Sequence, residues 1–207
     1  MRRFLALLFV LGTVPSFAQD ATLSNVSGPV FVRAEGASKD VPAKGGEQLI
    51  YGDAVKTGSG GTAHLLLGDR GAVLVRENSF FVLQGNSRNT TLRFTFGEFL
   101  IGLRRKLEPG QTFKVRTPAS VAAVRGTLFW GKTDAQKAST YAGFGHTIAV
   151  TAQGKTVLVH AGETTTIAFG EAPAPVKPSA IPVSYTDNFR IAGSLQGLES
   201  LVDLPKP

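Results

Sequence analysis

No helical period runs through residues 21–170. Gly-centred turns cut this stretch into apolar runs mostly of three to five residues. Val30-Phe31-Val32 follows Gly28-Pro29, and Leu49-Ile50-Tyr51 lies between Gly45-Gly46 and Gly52-Asp53. Ala63 to Leu67 and Ala72 to Val75 flank Gly68-Asp69-Arg70-Gly71, and Phe80 to Leu83 stops at Gly85-Asn86-Ser87. Leu92, Phe94 and Phe96 alternate with Arg93 and Thr95, the period of a strand with one wet face. Phe99 to Ile101, Phe113 to Val115 and Thr127 to Trp130 continue the series, and Thr147–Thr151 and Thr156–His160 close it as a hairpin. Turn signals recurring about every 8–12 residues mark an all-β chain. Strands this short, with 24 glycines in 207 residues, favour an irregular β-solenoid-like stack over residues 19–170. A β-sandwich, built on longer strands, is the alternative.

The N-terminus reads differently. Met1-Arg2-Arg3 is a basic n-region, Phe4 to Val14 is apolar, and Ser16-Phe17-Ala18 places small residues where a signal peptidase reads. Residues 1–18 therefore form a signal peptide cut between Ala18 and Gln19. The apolar run is too short for a membrane span of about 20 residues. No cysteine follows it, which excludes a lipid anchor there, and also excludes disulfides, thiol nucleophiles and Cys-ligated metal. Cleavage would leave 20 basic against 15 acidic residues, a balance of +5. A basic exported protein can lean on anionic glycans or a membrane surface. Export removes it from nucleic acid and nucleotide pools, and the expected location is the periplasm. Beyond the β region, residues 171–207 form a tail. It opens as a linker with Pro173, Pro175, Pro178 and Pro182, then carries Phe189, Leu195, Leu198 and Val202 at the spacing of a short amphipathic helix. Asp187 or Ser194 would cap that helix, and the tail either folds back or docks a partner.

Two motif matches are turns. Gly126 to Thr133 spells the P-loop pattern, but Thr127, Leu128, Phe129 and Trp130 are strand formers and no amphipathic helix follows. Gly58 to Ala63 imitates a dinucleotide fingerprint, yet a strand stands where the helix should begin. His64, His146 and His160 lack metal-ligand spacing. No Gly-x-Ser-x-Gly elbow occurs. Asp53, Asp69, Glu77 and Glu98 could pair as glycosidase carboxylates do, but acids beside Gly more often make turns. Arg104-Arg105-Lys106 before Pro109-Gly110 reads as a solvated loop, secondarily as an anion-contact patch. We expect no catalytic, cofactor or metal site.

In order, the chain carries Gly28-Pro29-Val30-Phe31-Val32-Arg33, Gly52-Asp53-Ala54-Val55-Lys56-Thr57-Gly58, Gly97-Glu98, Val115-Arg116-Thr117-Pro118, Val124-Arg125-Gly126-Thr127 and Ala161-Gly162-Glu163. This series resembles the FecR domain of bacterial envelope proteins over roughly residues 24–168. Asp69-Arg70-Gly71 departs from the usual Asp-Gly-Ser turn. The resemblance implies a β-rich periplasmic sensing or interaction module without catalysis. It also implies that Gly52, Asp53, Thr57, Gly58, Gly97, Thr117, Pro118, Arg125, Gly126 and Thr127 are motif positions with structural roles. Gly52, Gly58, Gly97 and Gly126 are expected at positive φ or at tight strand approaches. Thr117-Pro118 is expected to end a strand, and Arg125 to stack on or pair beside Trp130. Well-known members regulate sigma factors through a cytoplasmic segment. Only Met1-Arg2-Arg3 precede the apolar run here, so direct sigma-factor control is not expected. An unidentified envelope protein is the expected partner, with peptidoglycan or another anionic polymer as the alternative.

Overall fold

The computed structural model describes residues 21–104 and 106–181. The signal-peptide reading with its Ala18–Gln19 junction, Arg105, and the tail positions from Pro182 onward lie outside these residues. Among the described residues there is no helix, and hence none long and apolar enough to cross a membrane.

The chain is all-β. Its strands are β1 (Ala21–Ser27), β2 (Val30–Arg33), β3 (Val41–Pro42), β4 (Glu47–Leu49), β5 (Ala54–Thr57) and β6 (Thr62–Leu66). They continue with β7 (Gly71–Val75), β8 (Ser79–Gly85), β9 (Asn89–Leu103), β10 (Thr112–Arg116), β11 (Val121–Val124) and β12 (Leu128–Thr133). The last are β13 (Ser139–Gly143), β14 (Ile148–Ala152), β15 (Lys155–Val159), β16 (Glu163–Ile167) and β17 (Lys177–Pro178).

Hydrogen-bonded neighbours arrange these strands in two layers. The first layer runs β4-β1-β6-β7-β9-β12-β13-β16-β17. The second runs β3-β2-β5-β8-β9-β10-β11-β14-β15. Both advance along the stack in nearly sequence order, which is the solenoid-like feature, and neither closes on itself. The core lies between the layers, as in a sandwich. Among the described strands, ladders are antiparallel except between β9 and β10, and an isolated parallel bridge joins Gly143 to Ala161, making the sheet mixed. The outermost strands carry Pro42 and Pro178, which cannot extend a ladder at those positions.

β9 joins the layers. Its 15 residues pair with β8 and β10 in the second layer through Phe96, and with β7 and β12 in the first from Gly97 onward. Its burial alternates along residues 89–94, then becomes continuous from Phe99 to Leu103. Through the core, Phe81 stacks on Phe94 at 5.0 Å, Phe94 on Phe99 at 4.3 Å, and Phe99 meets Phe129 edge-on at 6.1 Å. Gly131 faces the Phe99 ring, where a Cβ would collide.

The first layer is buried on both faces near its centre. Leu74, Leu100, Leu128, Trp130, Ala142 and Phe144 form a second apolar cluster, on the face turned away from the second layer. Ile181 packs against it. The Pro-rich segment 171–181 is extended and lies along the domain. The Ala174 N–H donates to the Thr166 carbonyl, the Ser179 N–H to that of Gly162, and β17 pairs with β16.

Candidate functional site

The FecR-like motif residues occupy three structural joints. At the first, Gly52 has φ +107°, and a Cβ there would strike the Glu35 side chain. The next residue, Asp53, is buried; its Oδ1 accepts from the Glu35 N–H at 3.0 Å and its Oδ2 from the Ile50 N–H at 3.0 Å. This carboxylate ties two loops to the start of β5 through backbone donors.

The second joint links the layers. The Thr57 hydroxyl donates to the Arg76 carbonyl at 2.6 Å and accepts from the Ser79 N–H at 2.9 Å. The Ser79 hydroxyl in turn accepts from the Glu98 N–H at 3.1 Å. Gly97, at φ +117°, lies so close to Ser79 that any Cβ would collide with it. Gly58 takes the second of the two forms expected of it. It does not adopt positive φ; its place is tight because a Cβ would stand 3.2 Å from that of Pro29. The Gly60 N–H donates to Glu77 Oε2 at 2.6 Å, so the glycine loop that imitates a dinucleotide site has an internal carboxylate on it.

At the third joint, Thr117 directly follows β10 and sits within a buried hydroxyl network that the sequence pattern does not reveal. Thr117 Oγ1 accepts from Ser139 Oγ at 2.8 Å and lies 3.4 Å from the Tyr141 hydroxyl, which is 3.0 Å from Ser120 Oγ. Thr133 Oγ1 lies 3.1 Å from Ser139 Oγ. Burial pushes the Tyr141 hydroxyl above its ordinary pKa, against the hydrogen bonds from Ser120, Thr117 and Ser139. The network bridges the two layers, and scattered Ser and Thr give no spacing by which to find it. Pro118 follows the end of β10. Gly126 has φ +133°, and Thr127 is buried with its hydroxyl donating to the His146 carbonyl at 2.8 Å. The P-loop look-alike is this bend followed by β12.

Arg125 and Trp130 do not form the pair proposed from sequence. Arg125 is exposed beside the 106–111 loop, whereas the Trp130 indole N–H donates to Glu98 Oε1 at 3.0 Å. Glu98 also faces Arg76 Nε and Lys132 Nζ, each at 3.8 Å. Residues Trp130, Lys132 and Glu98 share a face because Lys132 is the register partner of Glu98.

Beside this cluster, where β9 changes layers, lies a groove of about 540 Å³ lined in part by Asn78, Phe96, Glu98, Lys132 and Asp134. Phe96 is 39% exposed and stacks on Phe80 at 6.2 Å. An exposed aromatic ring, backed by half-buried Phe80 and flanked by charges of both signs, suits contact with a protein surface. Glu98 and Glu77, which also borders the groove, are both engaged by donors. His64 is buried in β6, His146 lies in a bend, and His160 Nδ1 meets Thr147 Oγ1 at 2.8 Å. Asp69 lies in the turn between β6 and β7. Among the described residues no group of three or more His, Asp or Glu side chains could hold a metal ion.

Residues 53–145 match the family model described as FecR protein. Two crystal structures of a candidate anti-sigma factor from Parabacteroides distasonis ATCC 8503 share the fold. One has TM-score 0.54 at 14% identity, covering 66% of this chain and 63% of that one. The other has TM-score 0.54 at 16% identity, covering 61% and 59%. The chain thus spans less than two thirds of the length of these neighbours. No curated protein matches it.

Proposed function

We propose that this protein is a non-catalytic interaction or sensing module of the bacterial cell envelope, working in the periplasm after removal of residues 1–18. The match to the FecR family model over residues 53–145 carries this reading, together with the envelope role that the resemblance implies. The motif residues support it by what they do. Asp53, Thr57, Gly97, Thr117 and Thr127 hold strands and layers in place, leaving function to the surface. The groove beside Phe96 is the surface best suited to a protein partner. The solved neighbours are candidate anti-sigma factors. For this chain the role is that of an accessory whose partner is another envelope protein.

Crosslinking mass spectrometry on intact cells tests the reading. The expected result is a recurrent envelope protein joined to this chain, with a mature N-terminus at Gln19. Recovery of the chain in the cytoplasm, or of no protein partner above background, would overturn it.

A further inference from the structure

Charge is segregated between the layers. The strands of the second layer carry Arg33, Lys56, Arg93, Lys114, Arg116 and Lys155 and no acidic residue, counting β9 through Phe96. Those of the first carry Glu47, Glu98 and Glu163 with Lys132 and Lys177. Two of the second layer's cations are matched: Arg33 Nε donates to Asp40 Oδ1 at 2.7 Å, and Lys56 Nζ lies 3.8 Å from Oδ2.

The central ones are not matched. Arg93 and Arg116 are register partners across the parallel β9–β10 ladder, and Lys114 stands two residues before Arg116 on β10. All three are exposed, and among the described residues no carboxylate pairs with any of them. Like charges directly opposite on neighbouring strands repel. Such a pairing gains from an anion placed between its members. A cleft of about 370 Å³ lies there, lined by Arg93 and Arg116 with Gln84, Thr95, Thr117 and Pro118.

We propose that this cleft is a phosphoryl-binding site, with Arg93 and Arg116 as the two guanidinium clamps and Lys114 as a nearby point charge. A carboxylate is satisfied by one Arg fork. Two forks and an ammonium match the charge and the several acceptor oxygens of a phosphate group. Gln84 and the Thr95 hydroxyl supply neutral donors at the rim. This site adjoins the groove beside Phe96, with Thr95 bordering both, but does not depend on it.

The test is titration of the protein with inorganic phosphate at neutral pH and constant ionic strength, followed by backbone amide chemical shifts. Saturable shifts are expected at residues 84, 93–95, 116 and 117. Affinity should fall at least about tenfold in Arg93→Gln and in Arg116→Gln, while Lys177→Gln on the first layer binds as the parent does. A second arm measures sedimentation with phosphatidylglycerol vesicles against phosphatidylcholine vesicles. Binding to the former alone, lost in the same two variants, supports the site with a lipid headgroup as source. Phosphate binding without vesicle binding supports it with a soluble source. Shifts that do not saturate, arginine variants that bind as the parent does, or an equal loss in Lys177→Gln would each overturn the proposal.

Discussion

Glu98 shows how much one side chain can hold in this molecule. Its carboxylate accepts from the Trp130 indole, faces two cations, and its backbone N–H reaches Ser79. Glu98→Ala leaves a buried indole N–H without its partner and should cost about 1–3 kcal/mol. Glu98→Gln keeps an acceptor and should cost less. Trp130 is the chain's single tryptophan, so fluorescence-detected denaturation reads both variants directly. His64 contributes a pH dependence. Burial holds it below the ordinary histidine value of 6.5, so the folded state keeps it neutral where the unfolded chain would take up a proton. Its stabilising contribution is complete above that value and is lost as pH falls below it. The melting temperature should drop between pH 7 and pH 5, and His64→Gln should flatten the drop.

At the scale of elements, β9 decides the architecture. In sequence it reads as two runs, Leu92 to Phe96 and Phe99 to Ile101, with Gly97-Glu98 between them. The chain instead continues as one strand. Gly97 at φ +117° redirects it from one layer to the other, against the side of Ser79. Gly97→Ala therefore meets both backbone strain and a collision, and should lower stability by about 1–3 kcal/mol or more, read by thermal unfolding. The β14–β15 hairpin was legible because Gln153 and Gly154, both at positive φ, form a two-residue turn between alternating runs. The parallel β9–β10 pairing was not legible. Ladder direction depends on which way Thr112–Arg116 runs when it meets Asn89–Arg93, and local periodicity carries no record of that. The motif positions were visible as a series, but their work as joints was not. Asp53 reaches Glu35 and Thr127 reaches His146 across 18 and 19 residues, contacts that only the fold brings together.

For the whole molecule, two sheets of short strands share one core, and a second apolar cluster covers the back of the first layer. The Pro-rich segment belongs to this arrangement: its extended shape was readable from Pro173, Pro175 and Pro178, but its pairing along β16 was not. Ile181→Asp sets a charge against Leu100, Trp130 and their neighbours. The cost should be about 1–2 kcal/mol, or a few degrees in melting temperature.

Charge segregation between the layers is also a whole-molecule property, invisible until each strand is assigned to its layer. The two faces are then suited to different contacts, an anion on the second layer and a protein where β9 crosses. The claim that the protein works through such a surface contact is tested most directly by a photo-crosslinking amino acid at position 96 in living cells, with one at position 177 as reference. A discrete adduct with an envelope protein is expected from position 96 and none from position 177. No adduct from position 96, or the same adducts from both, would contradict it.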